Sequence, residues 1–457
     1  MKTVKVHFLG AAKTVTGSKL LLETPDMNIL IDCGLFQGLK ELRLLNWEPI
    51  PFDASKIDFV LLTHGHLDHT GYLPKLVKQG FKGKILATPP TLSIAKIILE
   101  DTAKINEEEA EEINKAGYSK HQPALPLYDQ RDVEKTLHYF KGVALDQWEW
   151  LSEHIGFKCS YNGHIIGATF IELKIYGKTM VFSGDIGRPN DVLLFPPKKP
   201  IHADYLFMES TYGNKLHPLD DVNDRLIELV DRIIDENGTL VIPTFAVERQ
   251  QTLMYLLWKL HSEKRIEDVP VYVDSPMGNN VLSVFERFTP WHKLTPETMA
   301  DINRHQTIIT SYKDTWKTID SPNPKIVIAG SGMVTGGRVL TYLKQIIDDP
   351  STHVLLVGYQ AEGTRGRQLL EGTHEVKIYN KYYPVEAQIH HIESLSAHAD
   401  QGELLDWLSE LEGRPKKVFL IHGEPIAMDA FRVKLEHEKQ WLVHIPQLHE
   451  VFEITLE

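Results

Sequence analysis

The sequence predicts an α/β chain in which one strand-rich domain is interrupted by a second domain with a mostly parallel sheet. Three observations predict this. Residues 1–205 carry many short β runs, and beyond them amphipathic helical stretches alternate with short apolar strands. Near residue 386 a strand-type texture resumes and runs to the C-terminus. Alternating β and α signals call for parallel strands joined by helical crossovers. The expected domains are therefore 1–205 with 386–457, and an inserted 206–385.

The first runs are VKVHFLG, SKLLLET and MNILIDCG, broken by Gly, Thr and Pro-Asp turns. Lys2 and Lys5 precede a short apolar stretch, as in a secretory leader, but His7 interrupts it. Val4, Val6 and Phe8 alternate instead as a half-buried strand does. The run IDFVLLT (57–63) ends abruptly at a histidine-dense loop. Leu73, Leu76 and Val77 then share a helical face, with Gly80 placed to stop it. Residues 92–117 read as a long helix whose Glu107 to Glu109 and Glu111 to Glu112 form a solvated acidic face. Strand signals return over 163–185. The inserted stretch then alternates LIELVDRIID, TLVIPTF, AVERQQTLMYLLWKL, VPVYVDSP, KIVIAGSG, RVLTYLKQII and HVLLVGY.

The chain has 457 residues, 42% hydrophobic and 24% charged, which is the balance of an ordinary globular protein and not of a disordered one. A net charge of −13 argues against a general nucleic-acid coat protein. There are 22 histidines and two cysteines, too few thiols for a disulfide framework or a Cys-rich zinc site. Any metal is therefore held by histidine and carboxylate. No apolar run approaches the roughly 18 residues of a membrane span, and the expected location is the cytoplasm.

Thr63-His64-Gly65-His66-Leu67-Asp68-His69 is the strongest chemical signal. Four potential ligands directly follow an apolar strand, whose rigid end lets successive side chains converge. Neutral imidazole and carboxylate suit zinc, and manganese is also accepted. One segment cannot complete two metal shells. His164 in NGHIIGA and Asp185 in VFSGD are the next candidates.

HxHxDH with a later loop His and a strand-end Asp resembles the metallo-β-lactamase fold. Asp32 in ILIDCG matches that family's first motif. MESTYG (208–213), SLSAHAD (394–400) and IHGE (421–424) resemble motifs A, B and C of the β-CASP subfamily, which processes nucleic acids. PLYDQRDVEKTL (126–137), PTFAVERQQTLMYLL (243–257), GSGMVTGGR (330–338) and GYQAEGTRGR (358–367) extend the likeness over almost the whole chain. The nearest resemblance is to compact bacterial and archaeal β-CASP ribonucleases, related to the cleavage/polyadenylation-type endonuclease and RNase J. It implies an αββα sandwich interrupted by an inserted α/β domain. His422 at motif C, where DNA-processing relatives commonly carry Val, favours RNA.

The resemblance also implies the residue roles. His64, His66 and His164 hold one metal, and Asp68, His69 and His422 the other, with Asp185 between them. Asp32 helps order the metal loop. Two such metals, roughly 3.5–4 Å apart, share a water whose pKa falls to about 7 on zinc. His398 is the candidate general acid, oriented by Glu209. Asp400 and Glu403 form a capping pattern, placing His398 just before a helix. The Gly-rich segment and its neighbours supply candidate RNA contacts: Ser331, Gly332, Thr335, Arg338, Thr364, Arg365 and Arg367. Tyr212 and Tyr359 are candidates for base stacking. The expected partners are RNA and a second copy of the chain, with no membrane.

Two other readings use part of the same residues. A small-molecule metallo-hydrolase acting on thioesters or lactams explains residues 1–205 equally well, but not the insertion or His398. A catalytically silent RNA-binding member of a processing complex conflicts with the full ligand set. The motifs do not separate endonuclease from 5′-to-3′ exonuclease action.

Overall fold

A computed structural model describes residues 2–116, 123–218 and 221–456. The chain divides into two compact units, Met1–Leu216 with His398–Glu457, and His217–Ala397.

The first unit is built on two seven-stranded sheets. One runs in the order Val451–Leu456, Lys2–Phe8, Leu20–Glu23, Asn28–Ile31, Phe59–Leu61, Lys84–Ala87, Phe140–Gly142. Its first four strands pair antiparallel and the remainder parallel. The other runs Val443–His444, Lys417–Ile421, Tyr205–Glu209, Lys178–Phe182, Thr169–Ile175, Ile155–Tyr161, Trp148–Trp150. In Lys2–Phe8, Val4, Val6 and Phe8 are buried and their neighbours are not, the alternation read from the sequence.

Three apolar layers hold this unit together. Between the sheets, Val4, Val6, Phe8, Leu20 and Leu22 of one meet Phe157, Ile171, Phe182, Phe207 and Phe419 of the other. The Phe207 ring stacks on Phe182 and on Phe419, with centroids 4.5 and 4.8 Å apart. On the outer face of the first sheet, Leu21, Leu30, Val60 and Ile85 pack with Leu73, Leu76, Leu99 and Val133. Those residues lie on the helices Leu73–Lys78, Pro89–Ala116 and Gln130–Leu137. On the outer face of the second sheet, Leu206, Met208, Val418 and Leu420 pack with Trp407 and Phe431 of the helices Gln401–Trp407 and Pro425–Glu438. The layering is αββα. The long helix carries its acidic run outward, with Glu108, Glu109, Glu111 and Glu112 exposed. Residue 117, expected at its end, lies outside the described residues.

The second unit carries a six-stranded, wholly parallel sheet. Its order is Thr307–Ile308, Val271–Asp274, Lys325–Ala329, Thr239–Pro243, Thr352–Val357, Gln388–Ile392. Alternate strand residues feed opposite cores. Ile242, Ile328 and Leu355 face Leu253 and Leu257 on one side, and Val241, Val327 and Val354 face Val339 and Leu343 on the other.

The unit limits differ from the sequence expectation by about a dozen residues at each crossing. Gln388–Ile392 pairs in parallel with Thr352–Val357, so it is the edge strand of the inserted sheet. The chain rejoins the sandwich only at His398. Tyr205–Glu209 lies between Lys178–Phe182 and Lys417–Ile421, which carries the first crossing to Leu216. An isolated apolar run does not disclose which sheet it joins. Among the described residues no helix is long and apolar enough to cross a membrane.

Candidate metal centre

Strand ends deliver the site. Asp32 follows Asn28–Ile31, His64 follows Phe59–Leu61, and His164 sits in the turn after Ile155–Tyr161. Asp185 follows Lys178–Phe182, Glu209 ends its own strand, and His422 follows Lys417–Ile421. Asp32 and His422 take positive φ of 58° and 48°, which turns each chain sharply out of its strand. Gly34 is required for close approach: a Cβ there would lie 1.5 Å from the Asp68 carbonyl oxygen. Backbone bonds from Ser18 N to Asp68 O and from Cys33 N to His69 O, at 2.8 and 2.7 Å, tie the histidine-dense loop to these turns.

The donor atoms of His64, His66, His164 and Asp185 all lie within 4.8 Å of one another, as do those of Asp68, His69 and His422. Asp185 reaches both groups. Its Oδ2 is 3.5 Å from His64 Nε2 and 3.6 Å from His164 Nε2, and its Oδ1 is 3.4 Å from His69 Nε2 and from His422 Nδ1. All seven predicted ligands therefore meet, although His422 stands 354 residues from Asp68 in sequence.

The donor set fits divalent metal. His69 Nε2 and Asp185 Oδ1 are buried without a hydrogen-bond partner among the described residues, which is costly unless a cation claims them. Burial holds His64 and His164 well below the usual imidazole range and His66 at about 4, so all three are neutral, the form in which imidazole can hold a metal. Burial opposes ionisation of Asp185, but His422 and His69 outweigh it and keep the carboxyl well below its usual range. Three histidines, a shared carboxylate and a His₂Asp set suit zinc.

Asp32 acts beneath the ligands. Its carboxylate accepts from Thr63 N at 2.8 Å, Thr63 Oγ1 at 2.9 Å and His69 Nδ1 at 2.7 Å. That leaves His69 Nε2 as the nitrogen that could face a metal.

Beside this cluster stands a second pair. Glu209 is fully buried, and its carboxylate accepts from Ile186 N at 2.6 Å and Thr211 N at 3.3 Å. Its Oε1 is also 3.2 Å from His398 Nδ1. Burial alone would lower the His398 pKa, but the charge and hydrogen bond of Glu209, with Asp185 and Asp68, raise it to about 9. The His398 ring lies 4.6 Å from that of His164. The bond from Ala399 N to Ile186 O fastens its segment, and the predicted Asp400–Glu403 capping box opens the next helix.

Residues 16–243 match the Metallo-beta-lactamase superfamily, residues 250–369 the Beta-Casp domain, and residues 382–446 the Zn-dependent metallo-hydrolase RNA specificity domain. Ribonuclease TTHA0252 of Thermus thermophilus is 36% identical over 91% of this chain and 92% of its own length. This chain belongs to the β-CASP family of metallo-β-lactamase-fold hydrolases. Transcription termination factor FttA of Methanocaldococcus jannaschii is 30% identical, covering 92% of this chain and 67% of that protein. An RNase J-like protein of the same organism is 29% identical over 92% and 93%. A protein of unknown function from Enterococcus faecalis superposes with a TM-score of 0.54 at 12% identity, covering 99% and 100%, and shares the fold.

The β-CASP unit holds the remaining candidates, each in a structural contact. Ser331 Oγ accepts from Thr335 N and Gly336 N at 3.0 and 3.1 Å. A Cβ on Gly332 would press within 2.6 Å of the Phe245 ring. Thr364 caps the helix Arg365–Leu370 by accepting from Arg367 N. Arg338 donates to Thr315 Oγ1 at 2.6 Å and lies 3.5 Å over the Tyr312 ring. Arg365 binds the carbonyls of Lys377 and Thr335 at 2.5 and 3.1 Å, and Arg367 pairs with Glu371 at 2.6 Å. Tyr212 is 3% exposed, so its ring offers no open face for stacking.

Four supporting residues of the sandwich lie within the motifs but receive no role from them. Thr63 anchors Asp32, and Asn162 Nδ2 donates to Ser183 O and Asp185 O at 2.7 and 2.5 Å. Ser183 Oγ accepts from Glu209 N at 2.9 Å, and Thr211 Oγ1 lies 3.1 Å from His422 Nδ1. Each stands within three residues of a ligand or of Glu209, which is the signal that finds them.

Proposed function

We propose that this chain is a metal-dependent ribonuclease that hydrolyses RNA phosphodiester bonds with two divalent ions, zinc by donor chemistry. The observation that carries the reading is the Glu209–His398 pair standing beside the complete ligand set. Hydrolysis of a thioester or lactam would need the ligands but neither this pair nor the inserted unit.

His64, His66 and His164 would hold one ion, Asp68, His69 and His422 the other, with Asp185 serving both. The ions would supply an activated water and offset charge on the phosphoryl oxygens. Asp32 and Thr63 orient His69 and fix its tautomer. Glu209, itself locked by two backbone amides, accepts from His398 Nδ1–H. The His398 imidazolium then gives the proton on Nε2 to the departing ribose oxygen, and Glu209 stabilises the charge that it carries beforehand. Such proton delivery is typically worth about 10²–10⁴-fold in rate. Arg367, whose side chain is 39% exposed against 11% for Arg338, is the better placed of these two to meet a phosphate.

The test is digestion of 5′-monophosphate RNA, linear and circular, by zinc-loaded and chelated protein. Cleavage by the loaded form alone supports the reading. Loss of only the linear RNA assigns exonuclease action, and loss of both assigns endonuclease action. Turnover of an acyl substrate without RNA cleavage would overturn it.

A further inference from the structure

The inserted unit contains a second histidine–carboxylate cluster that plays no part in the reaction above. His261 lies in the last turn of the helix Arg249–Ser262, and His305 ends the helix Pro296–His305. Asp268 sits in the loop that leads into the strand Val271–Asp274. One donor atom from each of the three falls within 4.8 Å of the other two. His261 Nε2 is 3.5 Å from Asp268 Oδ1, and the two imidazole rings stack with centroids 4.1 Å apart and planes 27° apart.

Several features point to a ligand here. Tetrahedral zinc holds nitrogen and carboxylate oxygen at about 2.0–2.2 Å, which places neighbouring donor atoms roughly 3.4 Å apart. The His261–Asp268 separation already matches. Among the described residues, no hydrogen bond engages either imidazole or the Asp268 carboxylate, so the donors are not committed elsewhere. In its neutral form each imidazole offers one ring nitrogen to a metal, whereas two rings this close repel when both are protonated. Both helices also direct their C-terminal carbonyls toward this end, a setting that favours positive charge.

The backbone that carries the donors is anchored. Leu260, Val269 and Ile302, each next to or near a donor, are buried in one apolar core. The Gln306 side chain donates to Met254 O at 2.7 Å, tying the end of one helix to the other. Lys264 takes φ 57°, and Arg265 N bonds Leu260 O at 2.9 Å, closing the first helix tightly before the Asp268 loop.

We propose that His261, Asp268 and His305 form a zinc site of His₂Asp composition, separate from the metal centre of the sandwich, that clips together the ends of two helices and the following loop. Water completes the fourth position. The site is structural: it adds a cross-link between segments 44 residues apart without touching the reacting groups.

The test is zinc content after equilibration with free Zn²⁺ and removal of excess ion, for the full chain and for His305→Asn and Asp268→Asn. Each variant is expected to hold one zinc fewer per chain than the parent. Zinc is expected to raise the melting temperature of the inserted unit in the parent and not in the variants. Asp268 is 87% exposed at its side chain, so its variant reads the site even if His305→Asn fails to fold. Equal zinc content in the parent and Asp268→Asn, with an equal thermal response, would overturn the proposal.

Discussion

His398 Nδ1 lies 3.2 Å from Oε1 of Glu209, and while the glutamate side chain is wholly buried, the histidine ring keeps 17% of its surface exposed. A buried carboxylate held by backbone amides cannot reorient. It therefore fixes both the direction of the imidazole and its charge. The pair comes from residues 189 apart in sequence, brought together because their segments meet around Ile186.

The first prediction concerns pH. The His398 pKa stands at about 9 because the Glu209 charge and nearby aspartates outweigh burial. A proton donor with a raised pKa is loaded below that value and empties as pH rises through it. Glu209→Gln removes the charge, so the alkaline limb of kcat/KM against pH is expected to move to lower pH. Activity at pH 8 should fall about tenfold or more, within the usual range for general-acid loss. An unmoved limb would remove Glu209 from this role.

A second prediction concerns Asp32. Asn tolerates the left-handed backbone at φ 58°, so Asp32→Asn keeps the turn. It removes the charge that accepts from His69 Nδ1 and Thr63. Loss of such an outer partner typically weakens a metal site about 10–100-fold. Competition with a zinc chelator should show this loss at the ion assigned to Asp68, His69 and His422, and equal retention by parent and variant would contradict the account.

Metal removal should also lower stability. Ligand linkage gives about 2.7 kcal/mol per site when free metal is 100 times its Kd. In calorimetry, chelation is expected to lower the transition of the sandwich unit, where the seven candidate ligands lie. A transition unchanged by chelation would argue against bound metal.

Two arginines of the inserted unit are expected to separate. Arg338 donates to Thr315, covers Tyr312 and lies 3.9 Å from the fully buried Asp274. Arg338→Ala should cost about 1–3 kcal/mol of stability by leaving buried polar groups unpaired. Arg367→Ala should instead reduce the slope of log K against log salt for RNA binding by about 1, as expected for one lost phosphate contact. Urea unfolding and salt titrations read the two effects independently.

The metal loop was legible because its chemistry is compact. His64, His66, Asp68 and His69 sit together, and histidine of that density has few other uses. His164, Asp185, Glu209, His398 and His422 are single residues in ordinary strand-end settings, and only their joint resemblance to one family ordered them. Gln388–Ile392 shows the limit for architecture: strand-type texture resumes there, but its sequence QIHHI does not say which sheet it joins, and only the register with Thr352–Val357 assigns it to the inserted one. Arg338 shows the limit for function. Its place in a Gly-rich segment advertises phosphate, whereas the contacts with Asp274, Thr315 and Tyr312 come from segments that no local pattern connects to it.

The most direct measurement is the effect of His398→Ala on cleavage of 5′-monophosphate RNA, with zinc content determined on the same sample. The account predicts the parent's complement of metal at the sandwich site and a rate lower by about 10²–10⁴-fold. Undiminished cleavage by a variant that retains its metal would contradict it.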